Sequence, residues 1–415
     1  MHNCLIPLTS AFPSDKSWCP LQVENGSWQD KRKKIFSVPK ELFLKIICVT
    51  IDIDPSWECV GRFALVNKAA YNLVMDIEVL RQLFLQGSIA SLDLRTCIAV
   101  KLLTERCASA TNMAITITDS EDLTEAEAEL LATACKYKKV TIDESDDSHF
   151  LKDAKIMKLI SNSNHLEKLS LRNCISLTDR PIDLLSLYGT ALKTLDLRRF
   201  TGISTNAIIC LAESLPNLQK LSLHDGGMND HFLELIGNKF SNLIVKLELI
   251  NAGVFSTAGM QALYKCQKLE AFYFASTNFT FTDQFLKECA NAWPKLKRFD
   301  INNTSGMSAE SICQLMEKCQ RLERLSLEDH CITFENLEAL LSSENKLKVL
   351  NYGFSTVSEN ITSDQICSLL IKHSARLVQM RELWISSKIF NQAEAKAKEQ
   401  LESSLPNLNF LSWEL

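Results

Sequence analysis

The chain has 415 residues, 46% of them hydrophobic, and a formal net charge of -5. That balance describes a soluble globular chain and argues against a general nucleic-acid binder, which would be basic. No apolar run is long enough to cross a bilayer, and a chain of this length outgrows one ordinary core unless it is built by repetition.

Residues 1–34 carry prolines, serines and two tryptophans without periodicity and read as a flexible leader. The apolar patch Cys4 to Phe12 is broken by Pro7 and has no basic flank before it, so no secretory signal is read there. The cluster Lys31-Arg-Lys-Lys34 reads as a solvated charge run, with a nuclear address as the other reading.

A helical unit follows over residues 35–88. Pro39 sits where a first helical turn tolerates a missing N–H, and Leu42, Ile46 and Val49 make one apolar stripe. After a polar gap with Pro55, the stretch Val60 to Asp76 and then Ile77 to Leu85 read as further helices.

From residue 89 to 415 the chain repeats. Its clearest phrase is Leu218-Gln-Lys-Leu221-Ser-Leu223, in which Leu221 and Leu223 share one face of a short strand. Copies follow at Leu169, Leu195, Leu221, Leu247, Phe272, Phe299, Leu325 and Leu350, in steps of 26, 26, 26, 25, 27, 26 and 25. Leu92-Asp-Leu94, Ile115-Thr-Ile117 and Val140-Thr-Ile142 read as degenerate first copies, and Leu383-Trp-Ile385 and Leu411-Ser-Trp413 as the last. This period and phrase predict a leucine-rich repeat solenoid of the α/β class, a horseshoe of thirteen parallel strands inside and helices outside. Strands stack about 4.8 Å apart while helices need about 8–10 Å, so the array must curve. Helix starts are expected at Thr178 and Asp179, Ser204, Asp230, Ser256, Thr282 and Asp283, Ser308, Thr333 and Thr362. The fifteen cysteines form no Cys-x-x-Cys pair. Cys135, Cys210, Cys266, Cys289 and Cys319 fall on the inner face of predicted helices and read as buried thiols in a reducing compartment.

The helical unit resembles the F-box. The residues that carry this are Pro39, Glu41, Leu42 and Ile46, then Leu65, Val66, Asn67, Lys68, Tyr71 and Leu73, then Asp76, Leu80 and Leu83. Val38 stands where the family usually has leucine and Tyr71 where it often has tryptophan, and both keep an apolar group. The repeat length and the cysteines near helix ends resemble the ribonuclease-inhibitor-like subclass of repeats. The resemblance implies the substrate-recognition subunit of an SCF-type ubiquitin ligase in the cytoplasm. A Skp-type adaptor, and through it a cullin–RING ligase, would be bound through Pro39, Leu42, Ile46, Leu65, Val66 and Tyr71, and the concave face would hold a target protein. The other readings are a non-enzymatic interaction scaffold whose helical unit caps the repeats, and a bacterial F-box mimic acting in a host cell.

The residues between the repeat leucines should line the concave face. Arg172, Arg198, Lys220, His224, Lys246 and Arg298 are its candidate polar contacts, able to meet a phosphorylated or acidic peptide. Asp196 and Glu248 lie among these cations, so a self-neutralising face is the competing expectation. Ile250, Ala271, Tyr273 and Ala275 form an apolar patch with an aromatic anchor. Trp384 falls in the exposed phase, and Trp413 reads as a cap. The seven histidines show no metal-ligand spacing, and no phosphate loop or nucleophile elbow is present, so no catalysis, metal, cofactor, nucleic acid or membrane is expected.

Overall fold

Alternating leucines on a short polar-flanked run can bury one face only, and here they do so copy after copy. The structure, a computed structural model, describes residues 92–93, 113–118, 132–133, 136–143, 152–173, 175–303, 307–327, 331–342, 346–351, 356–357, 362–386, 395–405 and 408–413. The leader 1–34 and the unit 35–88 lie outside the described residues, and so do Pro39, Leu42, Ile46, Leu65, Val66 and Tyr71.

The strands are β1 (Leu92–Asp93), β2 (Met113–Thr118), β3 (Tyr137–Asp143), β4 (Lys168–Arg172), β5 (Thr194–Arg198), β6 (Lys220–His224), β7 (Lys246–Ile250), β8 (Ala271–Ala275), β9 (Arg298–Ile301) and β10 (Arg324–Leu327). Then come β11 (Cys331–Ile332), β12 (Val349–Asn351), β13 (Thr356–Val357), β14 (Glu382–Ser386) and β15 (Asn409–Trp413). Among the described residues thirteen of them form one parallel sheet in chain order, and β11 and β13 make a separate parallel pair. The degenerate first copies are genuine, since Leu92, Ile115, Val140 and Leu169 align in register. The row continues through Leu195, Leu221, Leu247, Phe272, Phe299, Leu325, Leu350 and Leu383.

The last copy corrects the expected phase. Phe410, not Leu411, aligns with Leu383, and Trp413 aligns with Ser386. The segment offers apolar residues at 410, 411 and 413, so period-2 alternation fits two phases that differ by one residue. Pairing selects the phase in which Trp413 follows Trp384 rather than the repeat leucines, which removes the reason for reading it as a cap.

Helices return the chain between strands. They are α1 (Asp153–Asn162), α2 (Asp179–Tyr188), α3 (Thr205–Ser214), α4 (Asp230–Lys239), α5 (Thr257–Ala262), α6 (Asp283–Ala292), α7 (Ala309–Lys318), α8 (Phe334–Ser342), α9 (Ser363–Lys372) and α10 (Ala395–Ser404). The side chains of Thr178, Ser204, Ser256, Thr282, Ser308 and Thr362 accept from the backbone of the first helical turn, as expected of such caps. At α4 the cap is Asn229, one residue before the expected Asp230. Asp230 is drawn away because its carboxylate accepts from both the backbone N–H and the hydroxyl of Ser256, the cap of the next helix. Asp153 does the same for Thr178 and Asp179 for Ser204. Asp283 accepts from the backbone N–H of Ser308 and the hydroxyl of Ser311. A first-turn aspartate thus suits its own helix dipole and clamps the start of the next repeat.

The core lies between sheet and helices. Leu169, Leu195, Leu221 and their equivalents are buried against helix residues such as Ile182, Ile208, Leu233 and Ile312. Around β8 the leucines give way to rings. Phe272 and Phe274 pack with Phe279, Phe281, Phe299 and Trp293, Phe285 joins through Phe281, and the Phe272 and Trp293 centroids are 4.9 Å apart. One close approach explains a glycine: β-bridge pairing brings Gly253 against Met228, and a Cβ there would lie 1.9 Å from the Met228 carbonyl oxygen.

Cys266, Cys289 and Cys319 are buried, while Cys210 is exposed, which corrects its expected place on an inner face. The α3 stripe facing the core is Ala207, Ile208, Leu211 and Ala212, and position 210 falls outside it. Cys135 lies outside the described residues. Burial pushes the thiols of Cys266 and Cys319 up to about 12 and that of Cys289 well above its ordinary value. Brief alkylation of the native chain, mapped by peptide mass spectrometry, should therefore label Cys210 and leave these three unlabelled until denaturant is added. Labelling of Cys289 at the rate of Cys210 would contradict this packing.

Candidate functional site

Strands β3 to β10 present one face to the helices and one face away from them. On the second face the register sets three rows. The first runs Lys139, Lys168, Thr194, Lys220, Lys246, Ala271, Arg298 and Arg324. The second runs Thr141, Ser170, Asp196, Ser222, Glu248, Tyr273, Asp300 and Ser326, and the third begins Asp143, Arg172, Arg198, His224, Ile250 and Ala275.

The second row was expected to be open, and much of it is not. Ser170, Asp196, Ser222, Glu248 and Ser326 are all buried. Neighbouring strands are only about 4.8 Å apart, so short side chains sink between the long ones of the flanking rows. Burial of polar groups requires partners, and the row finds them sideways. Ser170 Oγ donates to Asp196 Oδ2 at 2.9 Å, and Arg198 Nε donates to Asp196 Oδ1 at 3.0 Å. Arg172 donates to Asp143 at 2.8 Å and approaches Asp196 at 3.7 Å. Lys246 Nζ lies 2.7 Å from Glu248 Oε2, and Arg198 reaches Glu248 at 3.8 Å. The competing expectation of a self-neutralising face therefore holds for this network.

His224 is corrected by the same geometry. It is 9% exposed, and its Nε2 lies 2.7 Å from Glu248 Oε1 and 3.2 Å from Ser222 Oγ. It does not offer the free ring expected of a ligand contact. The grouping resembles a serine–histidine–carboxylate relay only in its residue types. A relay needs the serine and the carboxylate on different ring nitrogens, and here both meet Nε2. Glu248 itself is pushed up by burial, but hydrogen bonds from His224 and Lys246 outweigh that and bring its pKa down to about 2. Asp300 shows the opposite balance. Burial raises its pKa despite Arg324 at 2.8 Å, and its Oδ1 is buried without a hydrogen-bond partner.

The apolar patch is brought together as expected: Ile250 aligns with Ala275, and Ala271 and Tyr273 lie on the same strand, all partly exposed. Its aromatic anchor is already engaged. Lys246 Nζ sits 5.0 Å from the Tyr273 ring centroid. Arg172, Arg198 and Lys246 are only partly exposed and are paired, whereas Lys220 and Arg298 are exposed. Sequence reasoning missed Lys139. The signal was present, because Val140 was identified as a repeat residue and Lys139 precedes it. Trp384 is partly exposed, and its Nε1 donates to Glu382 at 3.2 Å.

At the ends of β6 to β8 the loops enclose an open groove of about 570 Å³, rimmed by Gly226, Gly227, Asn251, Gly253 and Ser276. None of its lining side chains is ionisable at neutral pH, so it supplies shape and hydrogen bonds rather than acid–base chemistry.

No protein-family model matches the chain. The crystal structure of the Rad7 and Elc1 complex in yeast contains a chain similar to this one, with a TM-score of 0.49 and 14% sequence identity, over 93% of this chain and 92% of that chain.

Proposed function

We propose that the chain is the substrate-recognition subunit of an SCF-type ubiquitin ligase. In this reading the unit 35–88 binds a Skp-type adaptor, and the strand face opposite the helices holds a target protein in the cytoplasm. The observation that carries the second half is the sheet itself. Among the described residues, thirteen parallel strands in chain order make one continuous sheet face, built on a buried row that runs from Ile115 to Leu383. Such a face is rigid and long, which suits an extended protein ligand. The first half rests on the F-box-like residues Pro39, Leu42, Ile46, Leu65, Val66 and Tyr71 standing directly before the repeats. The polypeptide makes no bond itself; it raises the concentration of its target beside a conjugating enzyme held elsewhere in the assembly.

The test is co-purification of the full chain with a Skp-type adaptor, beside the double variant Pro39→Asp/Leu42→Glu. The variant should lose the adaptor while amide exchange across β4 to β10 stays as slow as in the parent. Adaptor retained at parental strength by the variant, or bound by neither chain, would remove the ligase assignment.

A further inference from the structure

The paired network on the open strand face leaves cations over. From β3 to β7 the face carries the cations Lys139, Lys168, Arg172, Arg198, Lys220 and Lys246 against the carboxylates Asp143, Asp196 and Glu248. Every one of those carboxylates is already engaged, Asp143 by Arg172, Asp196 by Ser170 and Arg198, and Glu248 by His224 and Lys246. Among the described residues Lys139, Lys168 and Lys220 have no ion-pair partner. They stand in one register row with Thr194 between Lys168 and Lys220. The crowding is felt. Lys168 is pulled below its ordinary value by burial and by repulsion from Arg172, Lys139 and Lys220, against the attraction of Asp196. A protein of net charge -5 thus holds a local strip of uncompensated positive charge.

We propose that the row Lys139, Lys168, Thr194 and Lys220 is the docking site for an acidic, extended segment of a target protein, laid across strands β3 to β6. This deepens the substrate-receptor reading above and rests on it. Strand spacing supplies the ruler. Lys168 and Lys220 are two strands apart, about 10 Å, which matches carboxylates three residues apart on a polyproline II chain, which rises about 3.1 Å per residue and returns every third side chain to the same side. The Thr194 hydroxyl between them can serve the peptide backbone. The row favours carboxylates over phosphate groups. Bidentate recognition of phosphate uses arginine forks, and Arg172 and Arg198 are already spent on Asp143 and Asp196, leaving only the point charges of lysine. It also favours a short acidic run over a nucleic acid, since the unpaired lysines stop at Lys220, with Lys246 beyond it held by Glu248, on a chain of net charge -5.

The experiment uses the full chain without adaptor and a fluorescein-labelled peptide of four Asp-Ser-Gly units, read by fluorescence anisotropy at low and high salt. A peptide of four Asn-Ser-Gly units and a single-stranded oligonucleotide are the comparison probes. The acidic peptide should bind, weaken at high salt, and lose about tenfold or more in affinity in Lys168→Glu/Lys220→Glu. The same charge change on the helical side, Lys265→Glu/Lys318→Glu, should leave it unaltered. The proposal is overturned if the parent chain fails to bind the acidic peptide, if the amide peptide or the oligonucleotide binds as well as the acidic one, or if the double lysine variant binds like the parent. Adaptor co-purification, run on the same proteins, separates the two claims. Peptide binding without adaptor would sink the ligase reading and keep the acidic docking row, and adaptor binding without peptide would do the reverse.

Discussion

Trp293→Ala will destabilise the repeats around β8 and β9 by about 3–5 kcal/mol. Trp293 is 0% exposed and fills the space between the α6 turn and the strand row, with its ring 4.9 Å from Phe272 and 6.1 Å from Tyr264. Truncation removes buried ring surface and leaves a cavity that the flanking phenylalanines, themselves locked ring to ring, cannot collapse to fill. It also orphans an acceptor, because Trp293 Nε1 donates to the Leu263 carbonyl at 3.2 Å. Trp293→Phe keeps much of the volume and loses the hydrogen bond, so it should cost only about 1–2 kcal/mol. A repeat array shares stability mainly between neighbours, and amide exchange is therefore the right measurement. Exchange should quicken in β8, α6 and β9 and stay near parental in β4 and β5. Equal acceleration along the whole sheet would show that the array unfolds as one unit.

What was legible in the chain follows from what one sequence can encode locally. The strand row was readable because Leu169, Leu195, Leu221 and their successors recur at a near-constant step, and one buried face forces that recurrence. Even the degenerate Leu92, Ile115 and Val140 kept the alternation, and they align in register. Phase failed at β15, where three apolar residues satisfy alternation two ways and only pairing with β14 decides. The open face was half legible. Its rows could be written down, but its burial could not, because Ser170 and Asp196 find each other across 26 residues, from one strand to the next. The same distance hid the role of the first-turn aspartates. Asp179 and Asp230 looked like ordinary helix starts, and their second partner, the capping serine of the next repeat, exists only once the repeats are stacked. His224 shows the functional cost of that blindness. Its alternation phase pointed outward, and its bond to Glu248 on the next strand folds it down into the network.

Glu248→Gln should cost roughly 3 kcal/mol at neutral pH, and that cost should vanish in acid. The Glu248 carboxyl falls from its ordinary 4.5 to about 2 on folding, and each pH unit is worth about 1.4 kcal/mol. Burial works against the ionised form, so the net fall reflects how strongly His224, Lys246 and Arg198 hold it. A carboxylate with a depressed folded value contributes stability that is complete above about 4.5 and drains away as pH falls toward 2. Glutamine keeps the shape and removes the charge, leaving Lys246 and Arg198 facing each other's field without an anion between them. Relief of Asp300, whose ionisation Glu248 opposes, trims the loss slightly. Denaturant titrations followed by exchange in β6 to β8, run on both proteins at several pH values, give the difference directly. The gap between parent and variant should be open at pH 7, narrow below pH 4.5 and close near pH 2. A gap that persists unchanged into acid would mean that Glu248 acts through packing alone, and the charge network on the strand face would lose its claim to hold the sheet's open side in order.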